Sequence, residues 1–330
     1  MKVQNLKDMP LWSKLLIKII LFIIILISIG FVFIYDYLNK INYSGEAEAI
    51  QSLDETVDTA DFKNEPKSEN SDFNSEKLIY KNKDIINILL IGQDKRPGES
   101  RSRSDSMIIA SINKKTSSIK LTSLMRDMYV PIPGYGDNKI NSAYALGGME
   151  LLSETVKNNF MVQIDGCAEI DFSGFAKAID KIGGIDIELN EDEAWYLNIE
   201  HNFKLSSGLN HLSGEEALEY SRIRYVGNDD YERTERQRKV LTAAYNKFKN
   251  SNIKTLLELS DEILPLVTTD LSRTQILELI ATVLFLKVSD IETYRIPADG
   301  EFIPSTIDGM SVLLPDLEGN RKLLKQYIGY

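Results

Sequence analysis

Apolar residues near the start of the chain form one long, almost uninterrupted run. Residues 19–35 are seventeen residues without a charge, and residues 15–17 extend the run beyond Lys18. At about 1.5 Å rise per residue, a helix over the whole stretch is about 30 Å long, which is one hydrocarbon thickness of a bilayer. The pattern predicts a transmembrane helix over residues 15–37.

Lysines before this run set the expected orientation. Lys2, Lys7, Lys14 and Lys18 precede the span, so the positive-inside rule predicts a cytoplasmic N-terminus over residues 1–14 and an extracytoplasmic remainder. The alternative is a cleaved secretory signal, which needs small residues at a cleavage site that residues 31–39 do not offer. We therefore expect a single-pass signal anchor in the cell membrane.

The residues after the span are polar and acidic. Residues 41–80 contain ten acidic side chains against three lysines and few periodic apolar positions. Such a composition buries little surface and is typical of a solvated linker. We expect a tether over residues 38–82 and a folded domain over residues 83–330.

Strand and helix patterns alternate through the folded domain. Residues 85–92 are a continuous apolar run that ends in Gly92, as in a strand buried on both faces. Ser213 and Glu216 form a capping box that opens a helix through residue 221. Further strands are predicted over 106–112, 119–124, 185–189, 291–296 and 311–314, and helices over 171–182, 231–250, 253–264, 273–288 and 317–327. The alternation predicts an α/β fold.

Composition excludes several classes of function. The 330 residues carry 38 Lys and Arg against 49 Asp and Glu, a formal net charge of −11. This balance argues against a nucleic-acid binder, which needs clustered cations on its surface. Two histidines and one cysteine leave little for a zinc site or a Cys–His catalytic pair, and the lone cysteine forbids an intrachain disulfide.

Arginines are concentrated in three short segments. Nine of the twelve arginines lie in residues 92–106, 123–127 and 219–239, and each of the first two segments follows a predicted strand. In α/β sheets, ligands bind beyond the carboxyl ends of strands. A guanidinium group matches phosphate with two parallel hydrogen bonds and stays charged. The clustering predicts a polyanionic ligand, most simply a pyrophosphate.

The third segment also allows a structural interpretation. Its arginines alternate with acids, so part of the segment could pair charges on a solvated helix face. On a helix over residues 231–250, Arg233 and Gln237 share one face and are predicted to point inward. For Arg236 and Arg238, ligand contact and charge pairing both stay open.

Two aspartates are candidates for a metal site. Asp94 ends the first strand of the domain and Asp105 opens the second, so both carboxylates meet at one edge of the sheet if these strands are neighbours. Carboxylate oxygens beside a pyrophosphate suit Mg²⁺, with Mn²⁺ as an alternative. The other interpretation is that each carboxylate caps a loop or pairs with Arg96 or Arg103.

Six motifs occur in an order that resembles the LytR–CpsA–Psr family of cell-wall enzymes. They are IGQD-x-R, RSRSD, SLMRDMYVPIPG with KINSAYALGG, FSGFAKAIDKIGGIDIEL, LSGEEALEYSRIRY and DDYERTERQR. The resemblance covers about residues 84–249. It implies an α-β-α domain with a central mixed sheet flanked by helices, carried by one N-terminal membrane anchor.

The resemblance also implies an activity. Family members are phosphotransferases that move an anionic glycopolymer, a teichoic acid or a capsular polysaccharide, from a polyprenyl-pyrophosphate carrier to the C6 hydroxyl of N-acetylmuramic acid in peptidoglycan. Matching positions suggest Asp94 and Asp105 as Mg²⁺ ligands, with Arg126 as a third catalytic residue. The positions expected to bind the substrate are Arg96, Arg103, Arg126, Arg222, Arg224, Asp230, Arg233 and Gln237.

Two details of the site follow from the motifs. Met125 and Met128 stand where the family pattern has Pro and Thr, which puts the rigidity of the loop around Arg126 in question. Asp127 is expected to orient Arg126. The family's lipid tunnel would be lined here by the apolar helices over residues 253–264 and 275–286.

Two other classes of function compete with the enzyme. A non-catalytic receptor would bind the lipid-linked glycan without releasing polyprenyl phosphate. A transcriptional regulator would need its arginines in the cytoplasm, which the predicted orientation opposes. The motifs leave open the polymer, the general base (we expect an aspartate of the metal cluster) and a pyrophosphatase side activity.

Overall fold

A computed structural model describes residues 38–44, 79–93, 104–228, 230–250, 263–286, 288 and 291–330. The predicted transmembrane helix and residues 45–78 of the predicted tether lie outside these ranges, as do residues 253–262 of a predicted helix. Asp94, Arg96 and Arg103 lie outside them as well. Within the ranges given, no helix has the length and apolar character needed to cross a membrane.

A seven-stranded sheet forms the centre of the described part of the domain, in the order β1-β10-β7-β2-β3-β4-β11. β2 pairs antiparallel with β3 and parallel with β7, so the sheet is mixed, as expected. The strands are β1 (Asn42–Tyr43), β2 (Ile85–Gln93), β3 (Ser104–Asn113), β4 (Ser118–Leu124), β5 (Tyr129–Ile132), β6 (Gly136–Lys139), β7 (Gly166–Asp171), β8 (Ile185–Leu189), β9 (Gly208–Leu212), β10 (Val267–Thr269), β11 (Ile291–Ile296), β12 (Phe302–Ile307) and β13 (Met310–Pro315). The pairs β5–β6, β8–β9 and β12–β13 form separate two-stranded sheets.

Helices cover both faces of the central sheet. They are α1 (Ser142–Phe160), α2 (Phe172–Lys181), α3 (Glu191–His201), α4 (Gly214–Arg222), α5 (Asp230–Lys249), α6 (Arg273–Phe285) and α7 (Leu317–Ile328). On one face, Leu89 and Ile91 of β2 share a core with Phe160 of α1 and Leu324 of α7. The other face packs against α5 and α6 around Ile108. This confirms the α-β-α layering.

Helix starts follow the capping signals in the sequence. Asp171 accepts a hydrogen bond from the backbone N–H of Gly174 and caps α2. Ser213 and Glu216 form the predicted capping box of α4, and Ser272 forms another at α6. These side chains satisfy backbone N–H groups that have no partner inside the helix.

A second apolar cluster lies beside the sheet. It joins α2, the β8–β9 hairpin, α3, α4 and α5 around the fully buried Leu197, Leu212 and Tyr220. The cluster matters for function because α4, α5 and the loop between them carry three of the predicted substrate-binding arginines, together with Asp230 and Gln237.

Residues 38–44 differ from the expectation of a tether. Leu38 and Ile41 are buried, and Asn42 and Tyr43 form β1, which pairs with β10 at the edge of the sheet. The tether prediction is wrong for these residues because the side chains of Leu38 and Ile41 are buried in the core of the domain. The remainder of the predicted tether up to residue 78 is not described.

Candidate active site

One edge of the central sheet brings together the ends of four strands. β2, β4 and β7 end there at Gln93, Leu124 and Asp171, and β3 begins there at Ser104 because it runs in the opposite direction. Asp105 and Arg126 therefore lie at this edge, which we call the site edge. The carboxyl ends of parallel strands are the usual position of ligand sites in such sheets.

Arg126 lies at the centre of the charged groups on the site edge. Its Nη1 atom donates to Oδ1 of Asp105 at 2.6 Å, and its Nε atom lies 3.3 Å from Oδ2 of Asp230. Burial acts to lower the pKa of Arg126, but the carboxylates of Asp230 and Asp105 outweigh burial and raise that pKa above its usual value. The guanidinium group therefore stays charged.

Asp230 connects Arg126 to two further arginines. It opens α5, and its carboxylate lies 3.3 Å from Nη2 of Arg233 and 3.7 Å from Nε of Arg224. Arg224 also approaches Asp105, at 3.7 Å. The arginine–aspartate cluster is thus formed by five predicted site residues: Asp105, Arg126, Arg224, Asp230 and Arg233.

Arg233 is the most buried member of this cluster. Burial lowers its pKa to about 10, so it remains a cation near neutral pH. Among the residues that the structure describes, nothing accepts a hydrogen bond from its Nε atom. A buried donor without an acceptor is costly, and an anionic ligand would relieve that cost.

Lys139 and Asp127 flank the cluster. Nζ of Lys139 lies 2.5 Å from Oδ1 of Asp127, whose other oxygen lies 3.7 Å from Nε of Arg126. Burial acts to raise the pKa of Asp127, but the hydrogen bond and charge of Lys139 outweigh burial and lower that pKa. Asp127 is therefore ionised beside Arg126, consistent with an orienting role. The motif that contains Lys139 was visible in the sequence, but its pairing with Asp127 was not.

The charges within the arginine–aspartate cluster and the Lys139–Asp127 pair beside it do not cancel. Arg126, Arg224, Arg233 and Lys139 are four cations, and Asp105, Asp127 and Asp230 are three carboxylates. These seven groups therefore leave a surplus of one positive charge around Arg126, which favours an anionic ligand.

The loop that carries Arg126 is fixed by its backbone and by burial. The N–H of Met125 donates to the carbonyl of Ile296 at 2.8 Å, and the N–H of Ile140 donates to the carbonyl of Met128 at the same distance. Met125 and Met128 are both buried. The two methionines therefore anchor the loop, and their difference from the family pattern does not leave it loosely held.

An apolar cavity of about 220 Å³ opens beside the arginine–aspartate cluster. It lies between the sheet and the helices α2, α4 and α5, with Leu90, Phe175 and Leu241 among its walls and Gln237 as a polar wall residue. The lining differs from the prediction, because α6 does not contribute to it. Gln275 and Leu279 of α6 line a different cavity of about 500 Å³, near Lys81 and Tyr330. Residues 253–262 lie outside the described part.

Arg222 pairs with Glu219 beside the apolar cavity. Its side chain is 42% exposed, hydrogen-bonds to Glu219 at 3.0 Å and lies over the ring of Phe172 at 5.3 Å. Phe172 lines the apolar cavity. Arg222 is therefore next to the cavity wall, within the predicted site but outside its charged centre.

Arg236 and Arg238 bind protein groups. Arg236 is fully buried and pairs with Glu193 at 2.7 Å and with Glu232 at 2.8 Å. Arg238 donates to the hydroxyl of Ser123 at 2.8 Å, and burial lowers its pKa to about 10. These contacts favour the structural interpretation for both residues.

The predicted metal ligands are Asp94, which lies outside the described residues, and Asp105, which lies within them. Within the described ranges, no group of three or more His, Cys, Asp or Glu side chains is arranged to hold a metal ion. β2 and β3 are neighbours, with Gln93 opposite Ser104 at the site edge, and Asp94 is the next residue after Gln93 in the sequence. Asp105 is a partly exposed carboxylate there. This donor chemistry fits Mg²⁺, but the meeting of Asp94 with Asp105 stays a prediction.

Glu169 is a residue that the sequence analysis missed. It lies on β7 and accepts hydrogen bonds from the side chains of Gln93 and Tyr144. Its signal in the sequence is an acid between the apolar residues Ala168 and Ile170 of a strand. The network fixes Gln93 immediately before the position of Asp94.

Comparison with known proteins identifies relatives with this architecture. A family model described as the LytR_cpsA_psr family matches residues 47–327. The chain is 33% identical over 322 residues, 94% of this chain and 92% of the relative, to a protein of Oceanobacillus iheyensis named polyisoprenyl-teichoic acid–peptidoglycan teichoic acid transferase TagU. It is 40% identical over 182 residues to the regulatory protein MsrR of Staphylococcus aureus, 54% of this chain and 53% of that protein.

Solved structures give the same result. TagT bound to LI-WTA superposes with a TM-score of 0.63 at 27% identity, over 75% of this chain and 92% of that chain. A structure of YwtF (TagT) with bound octaprenyl pyrophosphate lipid superposes with a TM-score of 0.59 at 25% identity, over the same shares. With the six motifs and the α-β-α fold, these matches show that the chain belongs to the LytR–CpsA–Psr family.

Proposed function

We propose that this chain is a membrane-anchored phosphotransferase that attaches an anionic wall polymer to peptidoglycan. The donor is the polymer linked to polyprenyl pyrophosphate, and the acceptor is the C6 hydroxyl of N-acetylmuramic acid. The names of the TagU relatives support teichoic acid as the polymer. A capsular polysaccharide is the alternative, because the charged groups described at the site suit a pyrophosphate and do not distinguish between sugars.

The observation that carries this proposal is the arginine–aspartate cluster next to the apolar cavity. Arg126, Arg224 and Arg233 present guanidinium groups at one edge, where a pyrophosphate would satisfy the positive surplus. The cavity between the sheet and α2, α4 and α5 has the apolar lining that a polyprenyl tail requires. The related YwtF (TagT) structure contains octaprenyl pyrophosphate, a ligand that has both a polyprenyl tail and a pyrophosphate.

The reaction is a displacement at phosphorus. The acceptor oxygen forms a bond to the phosphorus that carries the polymer, while the bond from that phosphorus to the bridging oxygen breaks and polyprenyl phosphate leaves. The hydroxyl proton passes to a carboxylate at the site edge. Arg126 and Arg224 stabilise the charge that develops on the phosphate oxygens.

A divalent cation is part of the proposal. Asp94 and Asp105 would hold Mg²⁺, or Mn²⁺ in its place, and the cation would neutralise charge on the pyrophosphate when bound. Asp127, held by Lys139, would keep Arg126 in position independently of the cation.

The membrane location belongs to the proposal as well. The apolar run of residues 19–35 and the lysines before it support a cytoplasmic N-terminus and an extracytoplasmic catalytic domain. This orientation places the domain with the peptidoglycan acceptor and away from DNA. The acidic net charge of the chain further opposes the regulatory role that the name of MsrR suggests for that relative.

The proposal is tested with the purified full chain, a polyprenyl-pyrophosphate-linked teichoic acid oligomer, Mg²⁺ and uncross-linked peptidoglycan chains. We expect release of polyprenyl phosphate and a phosphodiester-linked product, both measured by mass spectrometry. Arg126→Ala should lower the rate about 100-fold to 1,000-fold, as removal of a charge-stabilising donor does. The control is Lys239→Ala, which removes an exposed cation from α5.

Two outcomes would contradict the proposal. Donor binding without release of polyprenyl phosphate would favour a receptor for lipid-linked glycan. Full activity of Arg126→Ala would exclude the cluster as the pyrophosphate site.

A further inference from the structure

Residues 38–44 are fastened to the folded domain by apolar burial. Leu38 is 4% exposed and Ile41 is 6% exposed, and both pack in one cluster with Ile88 of β2 and with Leu271 and Ile276. A solvated linker would not bury two such side chains. The segment is therefore part of the domain although it is far from β2 in sequence.

Polar contacts fix the same segment. The side-chain amide of Asn42 donates to the carbonyl of Pro265 at 2.7 Å, and the hydroxyl of Tyr43 donates to the carbonyl of Leu38 at 3.0 Å. The guanidinium group of Arg273 lies over the ring of Tyr43, 5.1 Å from its centre. These contacts hold β1 in one register against β10.

The direction of β1 shows where the chain enters the sheet. β1 runs parallel to β10, β10 runs antiparallel to β7, and β7 runs parallel to β2. β1 is therefore antiparallel to β2, and its chain enters from the edge at which β2 ends. That edge is the site edge.

The register places the entry point close to the site. Asn42 is opposite Thr268, which is opposite Glu169, which is opposite Ile91. Asn42 is thus level with a residue two positions before the end of β2, and residues 38–41 form a turn immediately before β1. Three strand spacings separate β1 from β2, or about 14 Å.

The apolar run of residues 19–35 ends only three residues before Leu38. We infer that residues 38–44 act as a short strap that holds the domain with its site edge toward the surface of the lipid bilayer. This inference rests on the proposed membrane anchor and lipid-linked donor. The pyrophosphate of such a donor lies at the level of the lipid headgroups, so the strap presents the arginine–aspartate cluster at the height of its ligand.

An exposed aromatic side chain on the same edge supports this orientation. Tyr225 is 86% exposed and directly follows Arg224, which lies 3.7 Å from Asp105. Tyrosine is favoured at membrane–water interfaces because its ring is apolar and its hydroxyl remains hydrated.

The orientation can be measured without any transferase assay. The sole cysteine, Cys167, is buried, so a fluorescent maleimide would label an introduced surface cysteine selectively. Tyr225→Cys places the label on the site edge, and Lys115→Cys places it in the turn between β3 and β4 at the opposite edge. With the full chain in phosphatidylglycerol–phosphatidylethanolamine vesicles, headgroup spin labels should quench the label at 225 several-fold more strongly than the label at 115.

A linker insertion tests the strap itself. A Gly–Ser linker of about 20 residues, with a root-mean-square span of about 25 Å, is inserted between residues 37 and 38. This insertion should remove most of the difference in quenching between the two labels. The same linker between residues 60 and 61 is the matched control, and it should leave the difference unchanged because β1 still connects the apolar run to the domain.

The outcomes separate the inference from the proposed function. Equal quenching of both labels in the uninserted chain, or the same result for both insertions, would overturn the strap. Transfer activity toward the lipid-linked donor in the presence of equal quenching would refute the strap and leave the proposed function standing. Unequal quenching in a chain without transfer activity would support the strap and refute the proposed function.

Discussion

Arg236 and Arg126 are both largely buried, but their guanidinium groups have different partners. Arg236 is 1% exposed, and its guanidinium group is surrounded by Glu193, Glu232 and the backbone carbonyls of Ile223 and Val226. Arg126 is 21% exposed, and apart from the bond to Asp105 its contacts with carboxylates are 3.3 Å or longer. The N–H groups of Arg236 are therefore occupied by protein acceptors, whereas the guanidinium group of Arg126 can also donate to a ligand.

The difference shows how one motif serves two purposes. Arg233 and Arg236 lie on the same helix, α5, three residues apart. Arg233 joins the arginine–aspartate cluster, whereas Arg236 holds the loop that begins at Ile223 and carries Arg224. A helix with charges on two faces can therefore supply both a ligand contact and the support for a neighbouring ligand contact.

The largest effect that separates the two arginines concerns stability. Arg236→Ala would leave Glu193 buried without its partner, so we expect the free energy of unfolding to fall by about 3–5 kcal/mol. Urea unfolding of the purified chain, followed by near-ultraviolet circular dichroism, measures this loss. The double variant Arg236→Met with Glu193→Leu should recover much of it, because no buried charge is then left alone. An unchanged unfolding curve for Arg236→Ala would contradict the comparison.

A smaller effect is expected for Arg224, which belongs to the arginine–aspartate cluster with Arg126. Arg224→Lys keeps the positive charge but loses the planar fork that matches phosphate. We expect the rate of polyprenyl phosphate release to fall about tenfold, equivalent to about 1.4 kcal/mol in the barrier, with little change in unfolding. Steady-state kinetics beside the unfolding curve measure both quantities. A stability loss comparable to that of Arg236→Ala would show that Arg224 is also a structural residue.

The smallest effect is expected for a charged pair on the surface of α5. Lys239 and Glu235 are each 50% exposed and lie 2.9 Å apart. Because exposed helix pairs contribute only about 0.3–0.5 kcal/mol, Lys239→Ala should change unfolding within that range and leave the transfer rate unaltered. A large loss of activity would mean that the ligand extends along α5 beyond Gln237.

Much of the site follows from short-range patterns in the sequence. The apolar run ending at Gly92 predicts the central strand β2, and the four-residue spacing of Arg233 and Gln237 predicts their common inward direction. The arginine segments that follow predicted strands indicate a charged site beyond the strand ends, but the ion pair of Arg126 with Asp105 was not predicted.

Other features depend on contacts between distant parts of the chain. β1 is two residues long, and only its pairing with Thr268 and Thr269 makes it a strand. The partner of Asp127 depends on how the β5–β6 hairpin folds back to bring Lys139 near. The residues that line the apolar cavity depend on where α2 and α4 pack against the sheet. The apolar sequence of α6, from which its residues were predicted to line a lipid tunnel, gives no information on that packing.

β1 also protects the sheet from unwanted pairing. It covers the outer edge of β10, and Leu38 and Ile41 cover apolar side chains of β2 and α6. A fragment that began at residue 79 would leave the backbone groups of β10 that face away from β7 without partners beside an uncovered apolar patch. Open strand edges of this kind recruit other chains and promote aggregation. Soluble fragments of the domain therefore need to start at or before Leu38, even though the boundary predicted from polarity, residue 83, falls forty-five residues later.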